Sequence, residues 1–158
     1  MKRFLLIYSL LFSTYSVAEQ ANATTVTKAK SIKEMTPKEL FGLIEEDVDD
    51  LYILDIREPD QVGHGEIFHL NLVKITRGYL EFKVEKHISD KNARIVIYCC
   101  TGKRGRLATK TLQEMGYSNV YSLQNGIRGW VEEGYPLDTV YGEVILKSSV
   151  KPELCIRN

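Results

Sequence analysis

Cys99-Cys100-Thr101-Gly102-Lys103-Arg104-Gly105-Arg106 is the segment of this 158-residue chain whose residue types and spacing can do chemistry. It follows an apolar, β-branched run, Ile95-Val96-Ile97-Tyr98, and precedes Leu107 to Met115, which Gly116 closes. The implied order is strand, tight loop, helix. Such a loop can curl its backbone N–H groups inward above the positive end of the helix and so cradle an anion. A cysteine at its first position sits at the centre of that cradle, where the N–H dipoles and the cations of Lys103, Arg104 or Arg106 favour thiolate over thiol. The segment therefore predicts an activated sulfur nucleophile. The plainer alternative is a buried cysteine that only ends a core strand.

The surrounding pattern says what must hold this loop in place. Thr36-Pro37-Lys38-Glu39 supplies an N-cap, a proline at the first helical position and a capping-box Glu, and predicts a helix over about 37–46 with Leu40, Phe41, Leu43 and Ile44 on one face. Leu51–Asp55, Leu70–Val73, Ile95–Tyr98 and Val120–Leu123 read as short strands. Helical segments are expected at about 79–87, 105–115 and 126–132. Strand alternating with helix predicts an α/β fold, a central parallel sheet of about five strands with helices on both faces. Ligands of such sheets bind beyond the carboxyl ends of the strands, so the chemistry should follow Asp55 and Tyr98.

Composition narrows the functional classes. The 21 Lys+Arg balance 21 Asp+Glu, which argues against a nucleic-acid partner. Three cysteines are too few and too odd for a disulfide framework, and no Cys or His spacing fits a structural zinc site. Lys2 and Arg3, the apolar run Phe4 to Phe12, and Ser16-Val17-Ala18 have the layout of a secretory signal peptide over 1–18, with cleavage after Ala18. Cleavage would leave a mature chain of net charge −2 outside the cytoplasm, most simply in a bacterial periplasm, with no membrane anchor. Residues 19–30 read as a flexible leader, 31–137 as the domain and 138–158 as a C-terminal tail. In an oxidising compartment every thiol becomes a question. A vicinal Cys99–Cys100 disulfide would be strained, whereas Cys155 in the tail can act as a resolving thiol or be incidental.

Four segments in this order resemble the single-domain rhodanese family, sulfurtransferases that carry sulfane sulfur as a cysteine persulfide. They are Asp55-Ile56-Arg57-Glu58-Pro59, Gly65-Glu66-Ile67, Tyr98-Cys99 with Gly102 and Arg104, and Leu123-Gln124-Asn125-Gly126-Ile127-Arg128-Gly129-Trp130. In the family pattern an alanine and a closing glycine lie nine and seventeen residues beyond the nucleophile; Ala108 and Gly116 stand there when counted from Cys99. The resemblance thus implies Cys99 as the catalytic residue, with Cys100, Thr101, Gly102, Lys103 and Arg104 forming the substrate-binding loop and Arg57 facing the pocket. Asp55 and Gly105 would support the loop. A surface ion pair for Arg57 and a simple turn for Asp55 are the plainer readings.

The implied reaction moves sulfur from a small anionic donor such as thiosulfate to a thiol or cyanide through a Cys99 persulfide, with no metal or organic cofactor and a thiol-redox protein as a partner. Cys100 stands where many family members have Arg, and Gly105 where Ser usually caps the helix; both weaken the case for thiosulfate. Cys100-x5-Arg106 also spells the signature of cysteine phosphatases and arsenate-type reductases, which remains a rival reading, as does a non-catalytic sulfur-binding or redox-sensing module. His64, His69 and His87 are isolated and read as solvated or packing residues.

Overall fold

Along β4 (Arg94–Tyr98) the side chains alternate between two apolar clusters, and this alternation organises the fold. Ile95 and Ile97 join Leu54, Leu80, Val84, Ala108 and Leu112 on one face of the sheet. Val96 and Tyr98 join Leu40, Ile53, Ile127, Trp130 and Val131 on the other. A strand apolar on both faces has to be central, and β4 is: it lies between β2 (Leu51–Asp55) and β5 (Val120–Leu123).

The computed structural model describes residues 31–146. Within them five strands form one parallel sheet in the order β1-β5-β4-β2-β3, with β1 at Lys33–Met35 and β3 at Leu72–Lys74. Helices α3 (Leu80–His87, after a 3-10 turn at Arg77–Tyr79) and α4 (Lys103–Glu114) cover one face. Helices α1 (Pro37–Glu45) and α5 (Gly126–Glu132) cover the other, and a four-residue helix α2 (Pro59–Val62) follows β2. An antiparallel hairpin, β6 (Leu137–Thr139) and β7 (Gly142–Val144), ends the described residues. The α/β architecture with five parallel strands is the one expected.

Local signals account for most boundaries. The Thr36 hydroxyl accepts from Glu39 N at 3.2 Å while Thr36 N donates to the Glu39 carboxylate at 2.8 Å, a complete capping box. Thr36→Ala should therefore destabilise the fold by about 1 kcal/mol, read as a shifted urea midpoint with an unchanged slope.

Three differences from the sequence reading have physical causes. The strand expected at Leu70–Val73 begins two residues later; Leu70 is 82% exposed, and the Asn71 side-chain amide donates to Leu51 O at 3.2 Å as the chain turns in. Helix α4 starts at Lys103 rather than 105, because Gly102 adopts φ +79° and lets the chain turn straight into the helix. The expected tail is not separate at its start: β6 opens it, and Asp138 pairs with Glu66 through reciprocal bonds of 2.8 and 2.9 Å. The expected signal peptide, leader and Cys155 lie outside the described residues.

Candidate active site

The sheet order puts β2 and β4 side by side, while the chain leaves β2 for β3 in one direction and β4 for β5 in the other. A crevice therefore opens beyond their carboxyl ends. Asp55 and Tyr98, the last residues of the two strands, are register partners, so the loops that follow them meet there.

Cys99 continues the alternation of Ile95 and Ile97, which turns its side chain to the face where α4 begins. It is a free thiol with 1% exposure. Burial alone is what a packing cysteine would show. What sets this one apart is the chain after it. Gly102, Lys103, Arg104 and Gly105 carry the four N–H groups that a helix start leaves without intrahelical partners, and among the described residues none of them donates to a backbone carbonyl. The first helical bond is Arg106 N to Gly102 O at 3.0 Å. These donors, at the positive end of a twelve-residue helix, make a site for a sulfur anion or an oxyanion.

The loop is clamped from behind by the β5–α5 turn. Ile127 N donates to Cys99 O at 2.9 Å and Arg128 N to Cys100 O at 3.2 Å. Gly126, at φ +58°, lies so close that a Cβ there would fall 2.2 Å from Cys99 O and 2.8 Å from Gly102 N. Asn125 also adopts positive φ, +56°, at the position where the family pattern has the first of its two glycines. The Leu123-Gln124-Asn125-Gly126 segment is thus a backbone device that sets the loop rather than a ligand.

Asp55 and Arg57 form a buried pair beneath the mouth of the site, each with side-chain exposure of 0%. Arg57 donates to the Asp55 carboxylate through Nε at 2.9 Å and Nη2 at 2.6 Å, to Gln61 O at 3.1 Å and to Gly65 O at 2.9 Å. The Tyr98 hydroxyl donates to Asp55 at 2.7 Å. Burial, and then the Asp55 charge, push the Tyr98 hydroxyl well above its ordinary value, so it stays protonated and a donor. Burial pulls the Arg57 guanidinium down, but the hydrogen bonds and charge of Asp55 outweigh it and leave Arg57 raised. Arg57, which the resemblance turns toward substrate, is instead turned into the fold, where it holds the chain from Gln61 to Gly65.

Other candidates divide by where their charges go. Arg104 spans the mouth: it donates to Gln61 Oε1 at 2.9 Å, pairs with Glu58 at 3.4 Å and lies 3.9 Å from the Cys100 sulfur. Lys103 and Thr101 are exposed, and among the described residues Lys103 has no carboxylate at ion-pair distance. Arg106 turns away from the loop to Glu34 on β1, at 3.2 Å. Cys100 is disulfide-bonded and Cys99 is not, which leaves no vicinal bridge between them. The rival signature Cys100-x5-Arg106 thus has neither its thiolate nor its arginine in place. His64 and His87 are exposed, and His69 accepts from Asn71 N at 3.2 Å; burial lowers its ordinary value.

Gly105 owes its identity to a close approach. A Cβ there would meet the Ser122 hydroxyl at 2.8 Å and Ile97 O at 3.4 Å. Ser122 Oγ is buried and has no partner among the described residues. The hydroxyl that the family usually places on the helix is here on the facing strand. Ser122→Ala should raise stability by about 1 kcal/mol, because it removes an unpaired buried polar group without opening much space; a lowered melting temperature would contradict the assignment.

A cleft of about 340 Å³ opens at the same end of the sheet, bordered by Arg57, Pro59, Thr76, Lys74 and Lys83. Lys74 and Lys83 put positive charge on its rim, with Lys74 paired to Glu66 at 2.8 Å.

The rhodanese-like domain family matches residues 36–133. The chain belongs to that family. It is 30% identical over 112 residues to the thiosulfate sulfurtransferase GlpE of Actinobacillus succinogenes, covering 69% of this chain and 93% of the relative. Among solved structures it resembles the polysulfide-sulfur transferase homodimer of Wolinella succinogenes, with 33% identity, TM-score 0.59 and coverage of 67% and 77% of the two chains. A Rhodopseudomonas palustris protein described as a possible tyrosine phosphatase is 30% identical, with TM-score 0.60 and coverage of 67% and 84%. In this rhodanese-like chain the residues that the sequence reading assigned to the loop, Cys99, Cys100, Thr101, Gly102, Lys103 and Arg104, lie where β4 passes into α4. The residues the sequence reading missed are Tyr98, whose hydroxyl braces Asp55, Glu58 and Gln61, which hold Arg104, and Ser122. Glu58 and Tyr98 stood within segments that carry the resemblance, and Tyr98 also stood out as a polar-tipped side chain in a run otherwise purely aliphatic.

Proposed function

We propose that the protein is a sulfurtransferase that carries sulfane sulfur from a small anionic donor such as thiosulfate to a thiol or cyanide as a Cys99 persulfide. The observation that carries this reading is the free Cys99 thiol at the carboxyl end of the central strand, three residues before the four orphan amides that open α4. The names of the relatives in Actinobacillus and Wolinella support the same class of reaction.

In the first step the Cys99 thiolate attacks the outer sulfur of the donor. For thiosulfate the S–S bond breaks, sulfite leaves with the electron pair, and the sulfane sulfur stays on Cys99. The terminal sulfur carries the negative charge, and in this reading the amides of Gly102 to Gly105 donate to it. In the second step the acceptor attacks that sulfur and releases the thiolate, with thiocyanate formed from cyanide or a new persulfide from a thiol. Lys103 and the Lys74 and Lys83 side of the cleft attract the donor; Arg104, shared with Glu58 and Gln61, shapes the mouth. Splitting the transfer in two lets donor and acceptor use one small site in turn.

The test is the mass of the Cys99-containing peptide after exposure to thiosulfate and removal of excess reagent. One added sulfur, lost on adding cyanide with formation of thiocyanate, is the expected result; an unmodified peptide sinks the reading. The phosphatase alternative is disfavoured by the Arg106–Glu34 pair and the bonded Cys100. On residues 1–18 we also propose export, checked by whether the mature N-terminus in the native cell is Glu19.

A further inference from the structure

Helix α3 and the 3-10 turn before it carry Tyr79, Phe82, Lys83 and Lys86 at helical spacing, so these side chains share one stripe. It is the outward stripe: Tyr79 is 59% exposed and Phe82 77%, while Leu80 and Val84 take the buried side. Lys83 Nζ lies 4.9 Å from the centre of the Tyr79 ring. On α4, Lys103 and Leu107 stand one turn apart, and Leu107 is 62% exposed. Arg77 ties the two helices at this level: it donates to the Thr111 hydroxyl at 3.0 Å, which in turn donates to Leu107 O at 3.2 Å. Both helices begin at the carboxyl end of the sheet and cover the face to which Cys99 turns. We propose that this surface docks the sulfur acceptor, and that the acceptor is a protein whose cysteine stands among apolar and acidic side chains.

Charge selects that partner. Among the described residues every carboxylate on the two helices has its own cation: Glu81 has Arg77, Glu85 has Lys91 and Glu114 has Lys110. Arg104 and Arg106 are taken by Glu58 and Glu34. Lys83, Lys86 and Lys103 have no carboxylate at ion-pair distance among the described residues, so the two rings and Leu107 sit in a surplus of positive charge. Exposed apolar anchors flanked by one sign of charge match a protein surface that carries the opposite sign. Cys99 is 1% exposed, which calls for an acceptor sulfur that projects from a docked body. The cargo, though not the surface, rests on the sulfurtransferase reading. The docked thiolate attacks the outer sulfur of the Cys99 persulfide; a new S–S bond forms, the bond to Cys99 breaks, and Cys99 keeps the electron pair as a thiolate.

The probes are two end-capped peptides, Glu-Phe-Cys-Leu-Glu and Lys-Phe-Cys-Leu-Lys, offered to the sulfur-loaded full chain. Corrected for thiolate fraction, kcat/KM should be about tenfold or more higher for the acidic peptide, and added salt should shrink the difference. Phe82→Ser combined with Leu107→Ser should cost the acidic peptide about tenfold, while thiocyanate formation from cyanide stays within about twofold. Equal rates for the two peptides, or an unchanged rate in the double variant, overturns the proposal. Docking is read without sulfur by the serine form of the acidic peptide, which should shift the amide NMR signals of Tyr79, Phe82, Lys83 and Leu107 and leave those of α1 in place. No shift at millimolar peptide overturns the surface. So do the same shifts on concentrating the protein alone, which would give this face to a second copy of the chain. A parent that shows the peptide shifts yet takes no sulfur from thiosulfate counts against the sulfurtransferase reading alone.

Discussion

Cys99→Ser should lower sulfur transfer by at least about 10³-fold while leaving the domain folded, because loss of a covalent nucleophile removes the pathway rather than weakening it. A serine hydroxyl at this position is neither ionised at neutral pH nor able to store a sulfane sulfur. Its burial among Ile97, Ala108 and Ile56 leaves a hydroxyl in an apolar setting, with a stability loss of about 1–2 kcal/mol. Thiocyanate production and a urea titration of the same preparation separate the two effects. Residual activity of a tenth or more would mean that another sulfur carries the reaction.

Asp55→Ala should destabilise the fold by about 3–5 kcal/mol, which for a domain of this size threatens folding at 37 °C. The loss comes less from the removed attraction than from what remains. The Arg57 guanidinium would stay buried with only the Gln61 and Gly65 carbonyls as partners, and the Tyr98 hydroxyl would lose its acceptor. Removing the charge as well, in Asp55→Ala with Arg57→Leu, should recover a substantial part, since two apolar groups can share a space that one unpaired ion cannot. Denaturant midpoints of the two single variants and the double variant close the cycle. A single-variant loss below about 1 kcal/mol would show that the pair is a bystander.

These two sites also show how far the sequence could be read. Strand, loop and helix around Cys99 were legible because β4 is apolar from Ile95 to Tyr98 and Gly116 stands just past the end of α4, both local patterns. That chemistry would gather after Asp55 and Tyr98 was legible from the alternation of strands and helices alone, and the two residues prove to be register partners. The destination of each arginine was not. Arg57 and Arg104 find partners through α2, only four residues long, and Arg106 through Glu34 on β1, a three-residue edge strand with two charged side chains. Neither element has enough periodicity to announce itself, so the charges seemed equally available to substrate. The β6–β7 hairpin was missed for a similar reason: its strands are three residues each and partly exposed.

The near-contact of Gly126 with Cys99 O ties two segments 27 positions apart into one mechanical part. A methyl group at 126 has no room, so changes in the turn after β5 are felt directly by the backbone that carries Cys99. In the divergence of such proteins, the two stretches would be expected to vary together. New donor specificity would then be reached through α2 and the rim of the cleft, where side chains can change without bending the chain that presents the thiol.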